Sequence, residues 1–203
     1  KEEFSEKHFV QHICLAYLEG WEKLEDDNSI ICKLIENKKI AHLEEVISFV
    51  GSKKDKFSIE KKKKIKPLWG KMISVLGNEI NDPKYQKVIV KLINWLDLVD
   101  EIDNDIFNWI ILSVKYIYLK PSIYSFLKSL LVHVEKTPQK IGIILIEMAD
   151  KVELYPPDEE DIKKIVQKLY EIGQKVIANK VAIIYGENGY YFLEDLYKKY
   201  NIL

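Results

Sequence analysis

Helix-start signals recur roughly every 20 residues along this chain and divide its apolar sequence into short amphipathic segments. Asp82-Pro83 and Thr137-Pro138 each place a capping side chain before a proline at the first helical position, where the missing N–H costs nothing. Two such segments make a helical pair of roughly 40 residues, the period of HEAT-like repeats. The spacing therefore predicts an all-α fold, a HEAT-like α-α superhelix built from antiparallel helical hairpins. Similar start signals are Ser58, Asp103-Asn104-Asp105, Lys120-Pro121-Ser122 and Pro156-Pro157-Asp158.

In the first third of the chain, the apolar pattern predicts one helix from Phe4 to Leu24, disturbed near Gly20. Its apolar stripe is expected to contain Phe9, Ile13, Ala16, Tyr17 and Leu24. A short helix pair follows over residues 30–36 and 40–50, closed by a glycine C-cap at Gly51. Pro67 removes a backbone donor, so we expect a kink or a fresh helix start there.

In the rest of the chain, five helices are predicted, and their short connections fold each one back on its neighbour. After Gly173 the pattern indicates a helix to Tyr185, a turn over residues 186–189 and a terminal helix to Tyr200. The five helices span residues 83–99, 104–119, 121–135, 138–153 and 158–176.

Composition favours one folded domain over residues 1–203, since 47% of the 203 residues are hydrophobic. The 31 basic residues, all lysine, balance 32 acidic residues, which argues against a domain-wide footprint for nucleic acid. Without arginine the chain has no arginine finger and no bidentate clamp for phosphate or carboxylate.

Cysteine content and hydropathy predict a cytoplasmic protein without a membrane partner. Cys14 and Cys32 are too few for a disulfide framework, and their spacing is no recognised metal motif. No apolar run approaches the ~18 to 20 residues that cross a bilayer. Because the helical pattern begins almost at Lys1, we expect the chain to be the C-terminal piece of a larger protein.

A lysine-rich region from Lys53 to Lys66 is the strongest charge feature. Such a run is typical of a solvated helix face, but it is also dense enough to contact several phosphates. The alternative function is therefore sequence-independent, salt-sensitive binding of nucleic-acid backbone through Lys61, Lys62, Lys63 and Lys64. The full set of lysines is 53, 54, 56, 61, 62, 63, 64 and 66.

Catalytic and metal-binding motifs are missing, so we predict no enzyme activity, no cofactor and no metal in this chain. There is no phosphate-binding loop, nucleophile elbow or zinc-protease signature. His8 and His12 have the spacing of two zinc ligands but lack further ligands and a general base. The Gly-x-x-Gly segment at 186–189 is interpreted as a tight turn, and the acidic run at 97–105 as a capped inter-helix turn.

The four tryptophans lie on or beside apolar stripes, which favours core positions over a binding site, although any of them can line a groove. They are Trp21, Trp69, Trp95 and Trp109.

Several short signatures follow one another in an order that resembles the C-terminal helical tail of large prokaryotic multidomain proteins. These proteins include STAND-type NTPases and sirtuin-like proteins associated with defence against phage. One departure is Gly70-Lys71, where these relatives often have arginine, so an ion pair made by that arginine is not expected here. The matching pieces are His12-Ile13-Cys14-Leu15-Ala16-Tyr17-Leu18-Glu19-Gly20-Trp21, Phe49-Val50-Gly51-Ser52, Pro67-Leu68-Trp69, Asn94-Trp95 and the segment from Tyr185 to Leu196.

In such proteins the catalytic or nucleotide-binding domain lies upstream, and the helical tail recognises a partner or assists assembly. The resemblance implies no catalytic residues in this chain. It predicts a non-catalytic module that recognises or senses a protein partner on behalf of an upstream effector domain.

Overall fold

The protein is all-helical in a computed structural model that describes residues 2–26, 28–53, 56–120 and 122–201. No strand occurs in these ranges, which confirms the all-α prediction. The chain divides into two compact units, Lys1–Asp100 and Glu101–Leu203. The superhelical arrangement and the single repeat domain stay predictions.

The first unit is built from six α-helices and one 3₁₀ helix within the described residues. α1 packs on α2 and α3, α2 packs on α5, and α3 packs on α6 and on the 3₁₀ helix. The helices are α1 (Glu2–Glu19), α2 (Ile30–Glu36), α3 (Ile40–Ser52), α4 (Ile59–Lys63), α5 (Ile65–Gly77), α6 (Pro83–Lys91) and the 3₁₀ helix Leu92–Leu98.

In the second unit, α8 packs on α10, α9 packs on α7 and on α11, and the consecutive helices α10 and α11 also pack on each other. α12 packs on α11 at the end of the unit. The helices are α7 (Asn104–Val114), the 3₁₀ helix Ile117–Leu119, α8 (Tyr124–His133), α9 (Pro138–Met148), α10 (Pro156–Glu171), α11 (Lys175–Glu187) and α12 (Glu194–Asn201).

Three of the predicted helix caps are confirmed by hydrogen bonds. The Asp82 carboxylate accepts from the Lys84 N–H at 3.0 Å, and the Asp103 carboxylate accepts from the Ile106 N–H at 3.0 Å. The Ser58 hydroxyl accepts from the Lys61 N–H at 3.4 Å. α5 begins afresh at Ile65, two residues before Pro67, as the proline predicted.

Other predicted caps and helix bounds differ from the structure. α9 begins at Pro138 as predicted, but the Thr137 hydroxyl donates to the His133 carbonyl at 3.3 Å instead of capping the helix. Gly51 lies inside α3 and does not cap it. The helix predicted at 83–99 changes to 3₁₀ geometry at Leu92, and the helix predicted at 121–135 begins at Tyr124. Pro121 lies outside the described residues.

α1 is shorter than predicted and buries a different stripe. It ends at Glu19, before Gly20, so the disturbance predicted at that glycine is a helix end. The expected stripe residue Phe9 is half-exposed, whereas the neighbouring Val10 is buried. α1 begins at Glu2, two residues before the predicted start at Phe4, and the Phe4 side chain lies outside the described part. The buried stripe consists of Val10, Cys14, Tyr17 and Leu18.

Two of the four tryptophans form the centre of the first unit's core. Trp69 and Trp95 are fully buried, and their rings meet edge-to-face with centroids 6.3 Å apart. The Trp95 indole N–H donates to the Ile47 carbonyl at 3.2 Å, which links α3 to the 3₁₀ helix. Trp21, by contrast, is 80% exposed, so its predicted core position was wrong. Trp109 is half-buried.

Candidate partner-binding site

A cleft of about 140 Å³ lies between α11, α12 and the segment that joins them. Three tyrosine rings and one carboxylate line it, together with small or apolar residues of α11. Its lining residues are Ala182, Ile183, Gly186, Tyr190, Tyr191, Glu194 and Tyr197.

One side of α11 buries apolar residues in the unit, and the opposite side leads to the cleft. The buried side contains Ile177, Val181 and Tyr185. On the other side Ile183 is 47% exposed, which leaves an aliphatic side chain at the rim of the cleft. The exposed stripe of α11 consists of Val176, Lys180, Ile183 and Glu187.

The Tyr190 ring is held in place from several directions. Its hydroxyl donates to the Val152 carbonyl at 2.8 Å, and its ring lies 6.1 Å from Tyr185 and 6.3 Å from Phe192, measured between centroids. Gly189, at φ +86°, reverses the chain so that the Tyr190 N–H donates to the Tyr185 carbonyl at 2.9 Å. This wall of the cleft is therefore formed before any ligand arrives.

Polar contacts anchor α12, which carries Glu194 and Tyr197. The Asn179 and Asn201 side-chain amides exchange two hydrogen bonds of 2.8 Å, and the Tyr170 hydroxyl donates to Asn179 at 2.7 Å. The rings of Tyr170 and Tyr200 stack with centroids 4.4 Å apart. Since Leu196 is the only buried residue of this helix, these contacts do much to fix its position.

The electrostatics of the cleft are set by one acidic side chain and its partner. Glu194 forms an ion pair with Lys198 one helical turn later, and both side chains are about half-exposed. The Glu194 hydrogen bond and charge raise the pKa of Lys198 above its ordinary value. Burial raises the pKa of the neighbouring Tyr185 hydroxyl well above its usual range, so this group stays neutral.

The lysines of the nucleic-acid alternative lie mainly against acceptors of the first unit. The Lys61 ammonium is 2.5 Å from Glu19, and the Lys63 ammonium is 3.0 Å from Glu60. The Lys64 ammonium donates to the Tyr17 and Leu18 carbonyls at 3.1 Å each, at the end of α1. Lys62 is half-buried on α4, and Lys54 lies outside the described residues. Three of the four lysines proposed to contact phosphate therefore already have a hydrogen-bond or ion-pair partner within the chain.

The histidine pair has no arrangement of further ligands around it in the described residues, and the glycine-rich segment forms the end of α11 beside the cleft. His8 and His12 are exposed on α1, and within the described ranges no group of three or more His, Cys, Asp or Glu side chains is placed to hold a metal ion. The turn predicted at 186–189 is partly correct: α11 continues through Glu187, and only Gly189 has a positive φ. Cys14 and Cys32 are buried free thiols.

A second, larger cavity of about 370 Å³ lies beside the start of α10. Lys120, Lys151, Glu153 and Asp158 are among its lining residues, so the charges of the lining balance. The Lys151 ammonium already lies 2.8 Å from Asp150, and Asp158 accepts from the Tyr155 N–H at 3.3 Å. The two positive and two negative side chains of this lining favour neither an anionic nor a cationic ligand.

Sequence reasoning did not assign the cleft residues to a site. The segment from Tyr185 to Leu196 entered only as part of a resemblance and as a turn followed by a helix. A usable signal was present, because Tyr190, Tyr191 and Tyr197 stand close together in the sequence with Glu194 between them. What the sequence does not show is that these rings meet beside Ile183 of α11.

Comparison with known proteins assigns no family. No family model matches the chain, and neither the curated proteins nor the solved structures contain a match. The resemblance to helical tails of multidomain proteins is therefore still a prediction. Among the described residues, no helix has the length and apolar character needed to cross a membrane.

Proposed function

We propose that this chain is a non-catalytic helical module that recognises a protein partner, and that the α11–α12 cleft is its contact site. In this proposal the module recognises its partner on behalf of an upstream effector domain, as the resemblance to defence-associated proteins implies. No chemical step is assigned to these residues.

The observation that supports this proposal is the group of exposed aromatic and aliphatic side chains around a preformed cleft. Tyr191 is 69% exposed and Ile183 is 47% exposed, and both line the cleft beside the fixed Tyr190 ring. Tyrosine is enriched at protein interfaces because its ring supplies contact area and its hydroxyl stays hydrated. A few such anchors in a pocket provide most of the binding energy of an interface.

Site-specific photo-crosslinking tests the proposal. A benzophenone amino acid replaces Tyr191 in one variant and Val132 in another, and both are expressed in the native host within the full-length gene. Val132 is the matched control, since it is 75% exposed on α8 and lies outside the cleft. We expect one discrete protein adduct from position 191, absent from position 132 and lost when Tyr197 is changed to Ala. Identical adduct patterns from both positions would refute the proposal.

A further inference from the structure

The lining of the α11–α12 cleft combines aromatic rings with a negative charge. Tyr190, Tyr191 and Tyr197 contribute three rings, and Glu194 contributes the carboxylate. The faces of aromatic rings attract cations, and sites that recognise alkylammonium groups are built from several such rings. A neutral apolar ligand would gain nothing from the Glu194 carboxylate, whose charge has only the half-exposed Lys198 ammonium as its partner among the described residues.

The position of the cleft along α11 also favours a cation. Gly186 lines the cleft and lies in the last turn of α11, which ends at Glu187. The C-terminal end of a helix has partial negative charge and stabilises a positive group nearby. Glu187 is itself exposed at this helix end. The last carbonyls of α11 already accept from the Asn188, Gly189 and Tyr190 N–H groups, so the helix end contributes less than the rings and the carboxylate.

The size of the cleft limits the ligand to one side-chain-sized group. Its volume of about 140 Å³ is well below the roughly 300–1,000 Å³ of pockets that hold drug-sized molecules. We propose that the cleft binds an alkylammonium group, and that this group is a lysine side chain of the protein partner. This inference rests on the proposed function and specifies the chemistry of the partner.

One group within the chain competes with such a ligand. The Lys198 ammonium pairs with Glu194, but both side chains are about half-exposed, and exposed ion pairs of this kind are weak. A bound ammonium therefore shares or replaces this contact. Removing Lys198 should strengthen binding, whereas a purely apolar cleft would be indifferent to this change.

The first test compares two probes of the same shape and different charge, choline and 3,3-dimethyl-1-butanol. Each is titrated into the whole chain while the backbone amide signals of Ile183, Tyr191 and Glu194 are followed by NMR. We expect choline to saturate these shifts with a Kd of about 10 mM or lower. The neutral isostere should bind at least about five-fold more weakly. Equal binding of the two probes, or no saturable shift with choline, would overturn the inference.

Four variants identify the groups responsible. Tyr191→Leu keeps an apolar wall and removes a ring, and Glu194→Gln removes the charge, so each should weaken choline binding about three-fold. Lys198→Met should tighten it about two-fold. Tyr124→Leu is the control, because Tyr124 is a half-exposed tyrosine of α8 outside the cleft. Unchanged affinity in both the Tyr191 and Glu194 variants would contradict the assignment.

The commitment to lysine is tested with N-acetyl-lysine methylamide and its neutral analogue N-acetyl-norleucine methylamide. We expect only the lysine compound to shift the same amide signals. Choline binding without lysine binding would overturn the lysine assignment in favour of a free quaternary amine. A crosslinked adduct at Tyr191 without choline binding would refute the cation inference alone. Choline binding without an adduct would refute the proposed protein-partner function.

Discussion

α9 and α11 approach each other closely at Gly142, in the middle of α9. A Cβ atom built on this glycine would lie 2.1 Å from Cγ1 of Ile177 and 3.0 Å from its Cδ1. Ordinary van der Waals contact begins near 3.4 Å, so the first distance is more than 1 Å too short. Ile177 belongs to α11 and is buried, and a β-branched side chain has little rotamer freedom to move away. Gly142→Ala should therefore push α9 and α11 apart.

The magnitude follows from two opposing effects. Replacing glycine by alanine inside a helix gains about 1 kcal/mol of intrinsic helix stability. Overpacking a buried contact costs about 1–3 kcal/mol, and a steric conflict with a stiff side chain belongs at the upper end. We expect Gly142→Ala to lower the free energy of unfolding by about 2 kcal/mol, measured by urea denaturation followed by circular dichroism. Gly77→Ala is the control, since no atom lies within 4 Å of its Cβ position, and it should gain about 0.5 kcal/mol.

A double variant separates the steric cause from any other. Ile177→Ala alone should cost about 2–4 kcal/mol because it leaves a cavity. In that background Gly142→Ala should become neutral or stabilising, since Cγ1 and Cδ1 are gone. The reasoning would be refuted if Gly142→Ala had the same effect with and without the isoleucine side chain.

Two further predictions concern the first unit. Lys64→Met should lower the free energy of unfolding by about 1–2 kcal/mol in urea denaturation, because the ammonium caps two carbonyls at the end of α1. Lys62→Met should change it by less than about 0.5 kcal/mol, and equal losses would contradict this role of Lys64. Burial raises the pKa of the Cys14 thiol to about 12, so the unfolded chain ionises at lower pH than the folded chain. The stabilisation of the folded state by the buried neutral Cys14 thiol is fully present below the ordinary pKa of 9.0 and is lost as pH rises towards about 12. We therefore expect the free energy of unfolding, measured by urea denaturation at about pH 8, 9 and 10, to fall less with pH in Cys14→Ala than in wild type. Equal pH dependence in the two proteins would refute this prediction.

The sequence predicted helix starts better than helix ends. The Asp82 and Asp103 caps depend on a side chain and on backbone N–H groups two or three residues later, so local sequence suffices to identify them. Thr137 has the same pattern before a proline, yet its hydroxyl donates backwards to His133. Which acceptor a hydroxyl meets depends on the conformation of the preceding turn, and the pattern does not contain that information.

For the predicted functional residues, too, the sequence shows local features but not the contacts between distant parts of the chain. The lysine density at 61–64 is visible in the sequence, whereas the pairing of Lys61 with Glu19 joins residues that are far apart in the chain. Trp21 and Trp69 are equally apolar, yet one is exposed and the other is fully buried. Helical spacing gives the direction of a side chain around its own helix, but burial also requires a second helix on that side.

The all-α class, the positions of most helices and the absence of known catalytic motifs were determined by the sequence alone, because capping and apolar spacing act over a few residues. The tertiary structure decided which helices meet and which side chains remain exposed. It brought Tyr190, Tyr191, Glu194 and Tyr197 beside Ile183, and thereby formed the cleft to which we assign a function. Such a cleft depends on contacts between helices, and these are fixed by the packing of the whole unit and not by any single segment.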